Sequence, residues 1–236
     1  MPVPIHQVLQ QTFGYQQFRP GQEAIIQSVM AGNDTLALLP TGGGKSVCYQ
    51  VPGLAQEGVC LVITPLIALM KDQVRQLHRR NVSALAIHSG MNFFEVKKAL
   101  QNAGTGLFKF LYLSPERLQT NLFKEYLPSL PINLIAVDEA HCVSQWGYDF
   151  RPAYLQIALL REELPHVPIL ALTASATPQV QQDIMQQLHF SQARQLFRSS
   201  FERPNLSFSV FQLPQKINKL LQVLQNVPGS ALVYCR

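Results

Sequence analysis

Along the chain, short runs of Val, Ile, Leu and aromatic residues alternate with longer stretches whose apolar positions recur at helical spacing, and Gly, Pro, Asn and Ser separate the two. The runs predict strands over 35–39, 59–64, 84–88, 108–113, 134–137, 169–173, 207–212 and 230–234. The spaced pattern predicts helices over 20–31, 65–80, 92–102, 115–126, 151–164, 178–188 and 214–225. In the first of these, Ile25 and Val29, and Ile26 and Met30, lie four apart; Pro20 stands at the start, and Gly32 and Asn33 stop the helix. Strand followed by helix, repeated, is the pattern of an α/β chain with a mainly parallel sheet. The last apolar run, Ala231 to Tyr234, has no helical pattern after it, whereas a parallel strand normally feeds a crossover helix. The expectation is a first domain over about 1–202 and the incomplete start of a second over 203–236.

Composition narrows the class. With 47% hydrophobic and 14% charged residues over 236 positions, the chain has material for a sizeable core, which excludes the disordered and collagen-like classes. No apolar run approaches the roughly 20 residues that span a bilayer. The opening MPVPIHQVLQQTFGY also lacks the basic start, apolar core and cleavage site of a secretory signal. A soluble, unsecreted protein with no membrane role is expected. The net charge of +5 is compatible with a polyanionic partner but identifies none. Cys48, Cys60, Cys142 and Cys235 are scattered without a CxxC pair and read as reduced, mostly buried thiols of a cytoplasmic protein.

Two stretches carry chemistry. The predicted strand 35–39 runs into Pro40, Thr41, Gly42, Gly43, Gly44, Lys45 and Ser46 and then into a helical stretch. Glycines let backbone N–H groups approach a phosphate, the new helix presents its N-terminus to negative charge, Lys45 adds a cation and Ser46 can ligate Mg²⁺. Leu39 stands where the strict GxxxxGK[ST] pattern has its first glycine, so a flexible glycine turn remains the competing reading. The second stretch, Leu134 to Glu139, is an apolar run ending in two carboxylates. There Asp138 suits a Mg²⁺ ligand and Glu139 a group that orients an attacking water. A helix cap or solvated turn is the alternative for an isolated Asp-Glu pair; its coupling to a glycine loop favours the catalytic reading.

Asp138-Glu139-Ala140-His141 is a DEAH box, and its neighbours resemble the RecQ family of superfamily 2 DNA helicases. Phe13-Gly14-Tyr15 and Phe18-Arg19-Pro20-Gly21-Gln22 resemble the family's adenine-recognition motif. This implies base selection by Gln22, whose amide matches adenine N6 and N7, and ring stacking by Tyr15 or Phe18, with core packing the alternative for Phe13 and Phe18. Thr64 to Gln73 resembles motif Ia, implying DNA phosphate contacts at Pro65, Lys71 and Gln73. Lys71, Arg75 and Arg79 form a basic stripe that suits a solvated helix face equally well. Ser89-Gly90 and Ser114-Pro115-Glu116-Arg117 resemble further contacts, through Ser89, Glu116 and Arg117.

The segment Cys142 to Tyr154 resembles the RecQ aromatic-rich loop. It interleaves Trp146, Tyr148, Phe150 and Tyr154 with Arg151, a mixture suited to stacking on single-stranded bases, worth about 1–3 kcal/mol per base. The family resemblance implies DNA contacts by Trp146, Phe150, Arg151 and Tyr154, with the loop coupling DNA binding to hydrolysis. Tyr148 occupies a position where the family leads one to expect histidine. Leu172 to Thr177 resembles motif III, implying coupling through Thr173, Ser175 and Thr177, although Thr177 equally suits the cap of the following helix.

The resemblance implies a RecA-like lobe plus the start of a second, an ATP and Mg²⁺ requirement, single-stranded and duplex DNA as partners, 3′ to 5′ unwinding in recombination and repair, and a cytoplasmic site, nucleoid-associated in a bacterium. It implies catalytic roles for Lys45, Asp138, Glu139 and His141 and nucleotide contacts by Tyr15, Arg19, Gln22, Thr41, Gly42, Gly43, Gly44, Lys45 and Ser46, with Ser46 and Asp138 on Mg²⁺. Phe201 to Leu206 resembles the junction between lobes and Gly229 to Arg236 the opening of motif IV. Arginine fingers, a zinc-binding module and a winged helix would lie beyond Arg236, so slow turnover is expected of this stretch alone. The rival reading is a non-catalytic module that binds nucleotide and single-stranded DNA; an RNA helicase of the same superfamily is a third.

Overall fold

The computed structural model describes residues 3–200 and 205–234. The chain divides into two compact units, Met1–Phe201 and Glu202–Arg236. In the first unit the apolar runs become β1 (Asp34–Leu38), β2 (Val59–Ile63), β3 (Ala84–Ile87), β4 (Phe110–Leu113), β5 (Ile132–Val137) and β6 (Ile169–Thr173), joined by β7 (Arg194–Arg198). All pair in parallel, in the order β3-β4-β2-β5-β6-β1-β7. Central strands β1, β2 and β6 are buried along their whole length, which is why their sequences read as continuous apolar runs rather than alternating ones. One face of the sheet packs Leu61, Ile63, Leu111, Ile135 and Val137, and the other Cys60, Val62, Phe110, Tyr112 and Ala136.

The helices α1 (Gln22–Met30), α2 (Lys45–Ala55), α3 (Ile67–Arg79), α4 (Phe93–Gly104), α5 (Asn121–Tyr126) and α6 (Pro178–Gln187) follow their strands or lead into them. A capping box between Asn92 and Glu95 starts α4, and the Thr177 hydroxyl, accepting from Val180 N, caps α6. The expected helix over 115–126 is broken into a 3₁₀ turn, Pro115–Gln119, and α5, because Thr120 is extended and caps a fresh start. Likewise the expected helix over 151–164 is mostly 3₁₀, Pro152–Leu159, with one α-helical stretch at Leu160–Glu163.

Strand β7 was not predicted. Its sequence Arg-Gln-Leu-Phe-Arg is mostly exposed, as suits an edge strand with a single neighbour. In the second unit α7 (Lys216–Asn226) forms, but the expected strands over 207–212 and 230–234 are irregular in their described residues. A strand needs a neighbour to satisfy its backbone groups, and none of the described strands lies in this unit. Most of the expected lobe junction, 201–204, falls outside the described residues, as do Cys235 and Arg236.

Candidate nucleotide site and strand-end surface

A parallel sheet brings every strand's C-terminal end to one edge. The register puts Leu38 level with Thr173, and Ile63 level with both Leu113 and Val137, with Ile87 opposite Leu113. The residues that follow therefore line one rim: the glycine loop after β1, Thr64 after β2, His88 after β3, Ser114 after β4, Asp138 after β5 and Ala174 after β6. Brought together in this way are the Lys45 and Ser46 region and the Asp138-Glu139 pair, which are more than 90 residues apart in sequence.

Gly42 and Gly44 take left-handed backbone angles, φ 76° and 81°, which side chains rarely adopt. A Cβ on Gly44 would also run into the amide nitrogen of Gln22. Lys45 Nζ lies 3.2 Å from Glu139 Oε1, and the other Glu139 oxygen is 3.3 Å from His141 Nδ1. Glu139 itself holds a left-handed backbone, φ 49°, a conformation that costs energy outside glycine and is characteristic of functional sites. His141 is buried, and its Nδ1 is 2.9 Å from Thr173 Oγ1, which also donates to Ser175 O. A continuous path thus links Lys45, Glu139, His141 and Thr173.

Asp138 carries a carboxyl raised from its ordinary value to about 6, first by burial and then by the neighbouring Glu139 charge; Lys45 opposes both. A carboxylate held this far out of water is short of positive charge, and the hydroxyl of Ser46 with the Asp138 carboxylate is an all-oxygen donor set suited to a hard divalent cation. Burial pushes the His141 imidazole below its ordinary range, against the pull of the Glu139 and Asp149 charges.

Gln22 is 3% exposed, and its amide is turned onto the glycine loop: Oε1 accepts from Arg19 N at 2.9 Å and Nε2 donates to Gly44 O at 3.1 Å. Arg19 Nη1 donates to Gly42 O. Tyr15, Gln17, Arg19, Gln22, Gly44 and Val47 line a cavity of about 160 Å³. Tyr15 is the ring left open for a base, since Phe13 and Phe18 pack against the apolar cluster of Leu9, Ile26 and Val51. Gln17 and Val47 in this cavity carry no motif, and only the folded geometry reveals them. Thr41, Gly42, Gly43 and Ser46 all lie in the loop and first turn of α2.

The aromatic-rich loop follows directly. Trp146 is 68% exposed and Tyr148 78%, yet the Tyr148 ring stacks on His141 at 4.5 Å and 20°. Trp146, Tyr148, His141 and residues 174–177 line an open groove of about 490 Å³. Ser144 Oγ donates to Asp183 on α6 at 2.5 Å, so the loop is tied to the helix after motif III. Phe150 is half-buried, and Arg151 is paired with Asp149 at 3.0 Å. His141, Cys142 and Asp149 place ligand atoms within 4.8 Å of one another, but Asp149 is held by Arg151 and by the Cys142 thiol.

Three residues expected to touch DNA are placed otherwise. Tyr154 is fully buried and donates to Asp138 O at 3.0 Å, so it supports the carboxylate strand end and has no free face for a base. The Arg117 guanidinium clamps the turn after β3, donating to His88 O and Met91 O at 2.7 and 2.8 Å. Gln73 points inward to Ser46. Lys71, Ser89 and Glu116 are exposed and Pro65 half-buried on the rim. Ser175 and Thr177 are exposed, with Thr177 serving as the helix cap.

A rim that joins a glycine loop, a lysine and an Asp-Glu pair at the strand ends of a parallel sheet defines an α/β lobe with a candidate nucleotide site. Residues 19–184 match the model of the DEAD/DEAH box helicase family, and the chain belongs to that family. Its relatives include the probable ATP-dependent DNA helicase RecS of Bacillus subtilis, 45% identical over 98% of this chain and 47% of that protein. The ATP-dependent DNA helicase RecQ of Pasteurella multocida is 42% identical over 97% of this chain and 36% of that protein. The chain thus spans half or less of the length of these relatives. The fold is shared with the Pyrococcus furiosus Hef helicase domain, at 22% identity, a TM-score of 0.59 and coverage of 80% and 39% of the two chains. It is also shared with the helicase MrfA, at 16% identity, a TM-score of 0.71 and coverage of 95% and 37%. No helix among the described residues is long and apolar enough to cross a membrane.

Proposed function

We propose that this chain is the ATP-binding lobe of a RecQ-like DNA helicase, which couples ATP hydrolysis to 3′ to 5′ unwinding in recombination and repair. The observation that carries the reading is the linked path from Lys45 through Glu139 and His141 to Thr173, with the aromatic Tyr148 stacked on its histidine. Identity of 41–45% to proteins named as ATP-dependent DNA helicases supports it over nearly the whole chain. Residues 1–202 are read as the first RecA-like lobe and 203–236 as the start of the second.

In this reading the nucleotide's base lies against Tyr15 beside Gln22, its phosphates lie in the loop Thr41 to Ser46, and Ser46 and Asp138 hold Mg²⁺. The ion neutralises phosphate charge when bound. Lys45 leaves Glu139 for the phosphate as nucleotide enters, which frees Glu139 to accept a proton from the attacking water. His141 Nδ1 faces both the second Glu139 oxygen, at 3.3 Å, and the Thr173 hydroxyl, at 2.9 Å, and so sets Glu139 relative to Thr173. Single-stranded DNA runs along the rim over the ends of β2, β4 and β3, with Pro65, Lys71 and Ser89 on its backbone side and Trp146, Phe150 and Arg151 on its bases. Pulling on the loop moves Tyr148 and thereby His141, a route from DNA to the hydrolytic carboxylate.

Fluorescence anisotropy of a labelled single-stranded oligonucleotide, together with competition between ATP and GTP for the nucleotide site, tests this. Wild-type chain is expected to bind both ATP and oligonucleotide, Lys45→Ala to lose the nucleotide and Trp146→Ala to lose about 1–3 kcal/mol of oligonucleotide affinity. Equal affinity for ATP and GTP would contradict the adenine site, and unchanged oligonucleotide binding by Trp146→Ala would contradict the loop's role.

A further inference from the structure

We infer that Gln73, on α3, is a positioning residue for the Ser46 hydroxyl, and that it serves magnesium-bound nucleotide; the inference rests on the nucleotide reading above. Gln73 is half-buried between α3 and the start of α2. Its Nε2 donates to Ser46 Oγ at 3.3 Å, and its Oε1 accepts from Gln50 Nε2 at 3.1 Å. Gln50 also donates to the Tyr112 hydroxyl at 3.4 Å, and that hydroxyl shares a 3.3 Å hydrogen bond with Tyr49. Gln50, Tyr49 and Tyr112 are 5%, 2% and 1% exposed, so the relay is buried up to the half-buried Gln73, which carries it to Ser46.

Every member of the relay can both donate and accept. An amide has an oxygen and an NH₂, and a hydroxyl turns to suit its partner. The relay can therefore reverse its polarity by turning the two amides and the hydroxyls in place, with no shift of the backbone. In one sense Gln73 donates a hydrogen bond to the Ser46 oxygen. In the other, both amides turn, Gln73 Oε1 accepts the Ser46 O–H, and the serine lone pairs are freed for a cation. Metal ligands are held by such outer partners, whose removal costs about 10–100-fold in metal affinity. Leucine at 73 offers neither sense of the bond, whereas glutamate keeps the acceptor that the metal-bound state needs.

The test is binding of a fluorescent, slowly hydrolysed ATP analogue to the chain, titrated in magnesium chloride and in EDTA. Gln73→Leu is expected to weaken the magnesium-dependent affinity about 10–100-fold and leave the affinity in EDTA unchanged. Gln73→Glu is expected to keep the magnesium dependence. In a Ser46→Ala background Gln73→Leu should have no further effect, because both changes act on one contact. Wild-type magnesium dependence in Gln73→Leu, or an equal additional loss on top of Ser46→Ala, overturns the inference. Failure of wild-type chain to bind the analogue at all would remove the nucleotide reading itself, and this inference with it.

Discussion

Asp138→Asn should stabilise the metal-free protein while disabling it. The Asp138 carboxyl sits at about 6 instead of its ordinary 3.8 because burial and Glu139 oppose its charge more than Lys45 supports it. At about 1.4 kcal/mol for each pH unit, a rise of roughly two units corresponds to about 3 kcal/mol of stability withheld from the folded state. Below the unfolded value both states hold the proton and there is no cost. Between about pH 4 and 6 the folded chain keeps a proton that the unfolded chain releases, so the cost grows as pH rises, and above about 6 it is present in full. Asparagine removes the charge and keeps an oxygen for the Glu139 N–H, now accepted by Asp138 Oδ1 at 3.1 Å. Urea unfolding in EDTA should therefore find Asp138→Asn about 2–3 kcal/mol more stable than wild type at pH 7.5 and level with it at pH 4. With magnesium and nucleotide the order should invert, since only the carboxylate gains a cation. A variant equal to or less stable than wild type at pH 7.5 in EDTA, or an advantage that does not change with pH, would refute the reasoning.

A Cβ on Gly147 would lie 2.6 Å from His141 O and 3.1 Å from Ser144 O, so Gly147→Ala should displace the aromatic loop. The shift would be read as a changed emission of Trp146, the chain's single tryptophan. Tyr148→Ala should uncover His141 and let its imidazole return upward toward 6.5, since burial is the main cause of its lowering, whereas Tyr148→His should preserve the stack and the low value. NMR titration of the imidazole distinguishes them. Asp34 is 2% exposed, pairs with Arg161 at 2.7 Å and accepts from Ile169 N and Ser191 N, so Asp34→Ala should cost about 3–5 kcal/mol in denaturant unfolding. A loss under about 1 kcal/mol would show the pair to be dispensable.

The parallel sheet was readable because buried strands such as 59–63 and 169–173 are uninterrupted apolar runs, and the site because glycine spacing and paired carboxylates are local signals. What escaped was either exposed or non-local. Strand β7 has too little apolar character to announce itself, and only pairing with β1 makes it a strand. Tyr154 reads as one more loop aromatic, but a 3₁₀ turn rotates it inward under Asp138. Gln73 lies 27 positions from Ser46, and no spacing rule connects an amide on one helix to a hydroxyl on another. The left-handed backbone at Glu139 has no sequence signature either, although it lets one carboxylate face both Lys45 and His141.

The most direct measurement is ATP hydrolysis with and without single-stranded oligonucleotide, run beside equilibrium ATP binding, for wild type, Lys45→Ala and Glu139→Gln. The account predicts that Lys45→Ala loses ATP binding, that Glu139→Gln keeps wild-type ATP affinity, and that wild type binds ATP but turns it over slowly with or without the oligonucleotide, the residual rate falling further in Glu139→Gln. Rapid oligonucleotide-stimulated turnover by this chain would count against it. Hydrolysis at the wild-type rate by Glu139→Gln, or ATP affinity indifferent to Lys45→Ala, would contradict it.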